Sequence, residues 1–188
     1  MKKRVSVFII AILLVLIGNY SCERDDLCPE TTQTTARLVI EAFDVSLQDE
    51  SKNIFGLRIE GIDDNGDGIG VLDGYNIVSS SELVLPLRTD ADITKYKLHS
   101  NYAVNNNGTP DNPDDDFIEG NEDIITITYI REDVFVSRAC GYKTVFRNVQ
   151  IRVDVEDLDD DEWIRSIQTE NDNQVVENEA EAHFILLH

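Results

Sequence analysis

Cations are scarce in this chain. Only 16 Lys+Arg stand against 37 Asp+Glu in 188 residues, a formal charge of −21. So acidic a surface repels phosphate backbones, and no basic stripe interrupts it, which excludes nucleic-acid binding through Lys/Arg neutralisation. Histidine and cysteine are equally rare, three of each. His99, His183 and His188 lie far apart in sequence, whereas a zinc site draws on clustered ligands. The motifs G-x-S-x-G and H-E-x-x-H and the phosphate-cradling glycine loops are missing as well. Acids are so abundant that no pair stands out as the acid and base of a glycoside hydrolase. No catalytic residue is assigned on these grounds, and the chain is read as non-enzymatic. His99, beside Lys97 on the polar side of its strand, reads as a surface residue.

No apolar run reaches the roughly 20 residues that a membrane-spanning helix needs. The longest, Val5 to Ile17, is broken only by Ser6; Lys2, Lys3 and Arg4 precede it and Gly18-Asn19-Tyr20-Ser21-Cys22 follows. A positive start, a short apolar centre and a small-residue exit are the parts of an export signal. The segment resembles a bacterial lipoprotein signal peptide with a relaxed cleavage motif. Residues 1–21 are therefore expected to be removed and Cys22 acylated, with 22–35 an acidic linker and 36–188 a single domain. Removal takes away three cations and no acid, which deepens the charge to −24.

Acylation of Cys22 leaves Cys28 and Cys140 as an even pair in an oxidising compartment. A bridge between them would close a very long loop and stabilise the fold by on the order of 4 kcal/mol in the chain-entropy model. Two free thiols, or a Cys28 used outside the chain, are the alternative readings.

Beyond the linker the pattern is one of strands. Phe55, Leu57 and Ile59 alternate with Gly56, Arg58 and Glu60, and Val149, Ile151, Val153 and Val155 alternate with polar neighbours. Shorter signals lie at Leu38 to Phe43, Leu83 to Leu87, Tyr96 with Leu98, Ile125 to Tyr129, Val134 with Val136, and Phe184 to Leu187. Trp163 to Ile167 suits a helical turn or a strand. Many short strands separated by Gly, Asn and Asp clusters predict an all-β fold, an antiparallel two-sheet sandwich of immunoglobulin-like type.

Two loops stand out. Residues 101–123, rich in Asn, Asp, Pro and Gly, read as a long polar surface loop. Asp63-Asp64-Asn65-Gly66-Asp67-Gly68 has the D-x-N-x-D-G spacing of a calcium loop, with Asp63, Asn65 and Asp67 as side-chain ligands and Asp73 as a further acid. Gly74 stands where the helical version of that loop has its bidentate Glu. The turn is either a calcium site between two strands or an ordinary Asp/Asn/Gly hairpin.

Ser137-Arg138-Ala139-Cys140-Gly141-Tyr142-Lys143, together with Cys22-Glu23-Arg24-Asp25-Asp26-Leu27-Cys28, resembles an uncharacterised lipoprotein family of unknown function from the Bacteroidota. The resemblance implies lipid at Cys22 and pairing of Cys28 with Cys140, and it carries no activity. Glu23, Asp25 and Asp26 are similar to the acidic export signal of surface lipoproteins in that phylum. The expected location is thus the outer membrane, on its periplasmic face or at the cell surface. The leading expectation is a lipid-anchored binding or structural module with an envelope protein as partner. A calcium-dependent adhesion or glycan-binding module, with Tyr75, Tyr102 and Phe117 as its aromatic contacts, is the alternative, and an envelope hydrolase comes third.

Overall fold

The structure, a computed structural model, describes residues 27–32, 34–154, 162–170 and 174–188. The segment read as a signal peptide, Cys22, the acids at 23–26, Val155 and the acids at 159–161 lie outside the described residues. Those described fall into two compact units: a larger one over Gln33–Val134 and Lys143–His188, and a smaller one combining 27–32 with Phe135–Tyr142.

The larger unit is an all-β sandwich. One sheet has four strands in the order β4 (Glu82–Leu85), β1 (Leu38–Phe43), β9 (Phe184–Leu187) and β8 (Ser166–Thr169). The other has five, in the order β3 (Gly68–Ser80), β2 (Ile54–Ile62), β5 (Ile93–Asn105), β6 (Phe117–Ser137) and β7 (Gly141–Asp154). β1 pairs antiparallel with β4, β2 with β3 and β5, β5 with β6, and β8 with β9, whereas β1 and β9 run parallel from Ile40↔Phe184 to Phe43↔Leu187.

Alternation places the core. Leu38, Ile40 and Ala42 of β1, Leu83 and Leu85 of β4, and Phe184 and Leu186 of β9 meet Leu57 and Ile59, Tyr96 and Leu98, Ile125 and Ile127, and Phe146 and Val149 of the facing sheet. Each fully buried Leu or Ile contributes roughly 1.5–3 kcal/mol by leaving water. Asp123 enters this interior as a carboxylate only 5% exposed, and its Oδ2 accepts the Ile164 N–H at 2.7 Å. Trp163 Nε1 donates to the Leu98 carbonyl at 3.2 Å, so 163–164 is bound on both sides before β8 begins. Trp163 to Ile167 is thus an extended approach leading into a strand.

His183 completes the β1/β9 ladder with its side chain. Its N–H donates to the Val39 carbonyl at 2.9 Å, and its Nδ1 accepts the Val39 N–H at 2.9 Å. An acceptor Nδ1 must be unprotonated. Burial also pushes the His183 pKa below its ordinary value, in the same direction.

Two readings of the strands need correction. Phe55 is 63% exposed, and the inward residues of β2 are Ile54, Leu57 and Ile59. Gly56, at φ +56°, shifts the register between Ile54 and Leu57 and throws Phe55 outward. Residues 101–123 are not one loop either, because β5 and β6 continue into it as a paired ribbon from Ala103↔Glu119 to Asn105↔Phe117. Only Asn106–Asp116 connects them, with a short 3-10 turn at Pro113–Asp115. Backbone pairing satisfies polar side chains' neighbours as well as apolar ones, so composition alone misreads such a ribbon.

In the smaller unit, Cys28 and Cys140 form the expected disulfide, with Cα atoms 4.9 Å apart. The Ser137 hydroxyl accepts the Cys140 N–H at 3.0 Å, and Gly141 takes φ +72° to turn the chain between β6 and β7.

Candidate functional site

A concavity in the larger unit lies beside β3 and β4. Between the pairs Glu60↔Val71 and Arg58↔Asn76, residues 72–75 of β3 stand opposite Ile59 alone. This wide bulge, turned by Gly74 at φ +83°, carries Tyr75 out to the neighbouring strand. There the Tyr75 hydroxyl accepts the Val84 N–H at 2.7 Å and donates to the Glu82 carbonyl at 3.4 Å. Ser80 Oγ accepts the Glu82 N–H at 3.1 Å and donates to the same carbonyl at 2.7 Å.

The resulting groove has a volume of about 530 Å³. Its walls are mixed: Leu72, Val78, Val84 and Pro86 supply apolar surface, Asp73 and Glu82 acid, and Arg37 the one cation among the lining residues. Arg37 is held in a two-pronged pair with Glu179, Nε to Oε1 at 2.9 Å and Nη2 to Oε2 at 2.5 Å. That pairing lowers the Glu179 pKa and raises that of Arg37. No His or Cys lines the groove. Ile77, a β-branched residue at φ +59°, sits in the same stretch of β3 and is 52% exposed. Such a conformation costs of order 1–2 kcal/mol for a residue of this shape.

A second cluster covers the outer face of the five-stranded sheet. His99 is not a surface residue: it is 5% exposed. Registry sets it beside Arg58 on β2 and Glu122 on β6. Glu122 meets both the His99 Nε2, at 2.6 Å, and the Lys97 Nζ, at 2.7 Å. Arg58 pairs with Glu60 and lies 4.7 Å above the Tyr102 ring, whose edge contact with His99 spans 5.2 Å. Burial holds the His99 pKa below its ordinary value, outweighing the opposing pull of Glu122. Arg58, Glu60, Lys97 and Glu122 each have an ion-pair partner within the cluster, which therefore reads as a packed ionic cover.

The Asp63 turn joins β2 to β3. Asp63 Oδ1 accepts the N–H groups of Asn65 at 2.9 Å and Asp67 at 2.8 Å, and Oδ2 accepts from the Asn65 amide at 3.2 Å. These bonds, that from Asp67 first, hold its carboxyl below the usual range. Asp64 pairs with Arg88 at 2.8 Å. Asp63, Asn65 and Asp67 share this one turn, whereas Asp73 lies in the groove wall. Among the described residues no group of three or more His, Cys, Asp or Glu is placed to hold a metal ion. Of the three aromatics read as glycan contacts, Tyr75 is spent on β4, Tyr102 lies under Arg58, and Phe117 is 49% exposed.

Sequence reasoning missed the groove altogether. Its strand, GIGVLDGYNIVSS, lacks alternation, and only the spacing of Gly68, Gly70 and Gly74 hints at an irregular edge. The Arg37–Glu179 pair spans 142 residues and had no local signal.

Comparison with curated proteins and with solved structures returned no match. A family model does match, over residues 57–188, and these take in β3, β4, the groove's lining residues other than Arg37, and Cys140. The chain belongs to that family, DUF6452, a family of unknown function.

Proposed function

We propose that this protein is an exported, lipid-anchored module of the bacterial outer membrane that binds an envelope partner without catalysing a reaction. The observation that supports it is the Cys28–Cys140 bridge. Structural disulfides persist in oxidising compartments, which agrees with an export signal over residues 1–21 and acylation at Cys22. The groove beside β3 and β4 offers a mixed apolar and acidic wall suited to a protein or peptide segment. The calcium-dependent adhesion reading has weaker support, because the Asp63 carboxylate already accepts donors of its own turn. An envelope hydrolase has no observation behind it.

Mass spectrometry of the N-terminal peptide, from the full chain expressed in a lipoprotein-processing host, tests the anchor. The expected product begins at an acylated Cys22, and Cys22→Ser shifts the protein from the membrane to the soluble fraction. A chain that keeps residues 1–21, or whose Cys22 reacts freely with alkylating agents, would overturn the reading.

A further inference from the structure

The smaller unit exposes aromatic surface beside the covalent route to the anchor. Phe135 is 56% exposed and Tyr142 69%, and their rings meet edge to face with centroids 5.4 Å apart. Leu27, next to the disulfide, is 81% exposed. Residues 134–142 carry Arg138 and no acid, in a chain with 37 of them. Arg138 is exposed and has no ion pair among the described residues.

Chain length then fixes what this surface can reach. Cys28 is six residues after Cys22, and a fully extended segment of that length spans about 20 Å. The disulfide brings Cys140 within 4.9 Å of Cys28, Cα to Cα. The turn between β6 and β7 is therefore leashed within a short radius of any lipid on Cys22. Phe, Tyr and Leu side chains gain by entering the headgroup and acyl boundary, and Arg reaches phosphates there.

We propose that Leu27, Phe135, Arg138 and Tyr142 form a docking surface for the phospholipid bilayer that holds the anchor. The proposal rests on the lipid-anchor reading of Cys22. Glu23, Asp25 and Asp26 lie on the leash, so the attraction comes from apolar burial rather than net charge and persists at high salt. The docked turn converts a one-point tether into a two-point attachment, since neither weak contact alone needs to hold the protein to the surface.

Amide hydrogen exchange of residues 135–142 tests it, using the acylated full-length mature protein on phosphatidylethanolamine/phosphatidylglycerol vesicles and the soluble Cys22→Ser protein as reference. Exchange is expected to slow roughly tenfold on vesicles. The Phe135→Ser, Tyr142→Ser double variant stays vesicle-bound through its lipid and loses that protection. Arg138→Glu reduces it with both rings in place. Protein that floats with vesicles yet exchanges at the reference rate overturns the docking surface and leaves the anchor standing. Protein that carries no acyl group and does not float overturns both. Protection that appears without vesicles as concentration rises assigns the patch to a second copy and overturns the bilayer.

Discussion

The strands of the four-stranded sheet are four to six residues long, and none contains a residue of positive φ. Those of the five-stranded sheet run from nine to 21 residues and carry Gly56, Gly70, Gly74, Ile77, Asn101, Gly120 and Asn148, all of positive φ. Twist accumulates with strand length, so short strands can stay in register while long ones must break their ladders to keep covering one core. The breaks are coordinated. A Cβ at Gly56 would lie 2.9 Å from the Asn101 Cα, and one at Gly120 would lie 2.7 Å from the Asn101 carbonyl oxygen and overlap that of Ser100. Gly56, Asn101 and Gly120 thus mark one bend running across β2, β5 and β6.

If that bend is required, Gly120→Val gives the largest effect. The variant meets both the carbonyls and an unfavourable φ of +102°, and urea unfolding should show a loss of about 3 kcal/mol or more. A loss under about 1 kcal/mol would mean that the irregularities are incidental.

The regular sheet is probed at His183. His183→Ala strands the Val39 N–H, which should cost about 1–3 kcal/mol near neutral pH. In the parent protein the folded pKa of His183 is below its ordinary value of 6.5. The unfolded chain then binds more protons between the two values, so stability is complete above pH 6.5 and falls as pH drops toward the folded pKa. His99 and His188 are shifted in the same direction, so the variant should show a shallower acid slope rather than a flat one. An unchanged slope would remove His183 from the account.

The smallest effect sharpens the contrast from the other side. Asn tolerates left-handed backbone better than Ile, and Ile77 is half exposed, so Ile77→Asn should stabilise by about 1 kcal/mol. Destabilisation instead would show that the Ile77 side chain contributes more by packing than its backbone costs.

This division also explains what was legible in the residues. Leu38, Ile40 and Ala42, or Ile125 and Ile127, alternate cleanly because regular ladders keep period two, and the all-β sandwich and the Cys28–Cys140 bridge follow from such local signals and a count of three cysteines. Phe55 was misplaced because a single positive φ at Gly56 inverts the phase of everything before it. His99 looked like a surface residue from its polar phase, yet Tyr102 and the Arg58 and Glu122 of neighbouring strands close over it. Those partners are set by cross-strand register, which single-strand patterns do not encode. The groove needed both, a bulge in β3 and its meeting with β4.

Tyr75 has a consequence for life at high concentration. An edge strand ordinarily offers a row of free donors and acceptors on which another chain can grow a strand, the route to edge-to-edge aggregation. On β4 part of that row is taken: the Val84 N–H bonds to Tyr75, the Glu82 N–H and carbonyl bond to Ser80 and Tyr75, and Pro86 beyond them has no N–H to give. The phenol of Tyr75 and the hydroxyl of Ser80 thus stand where a further strand would pair at Glu82 and at the Val84 N–H, while leaving the strand's side chains open.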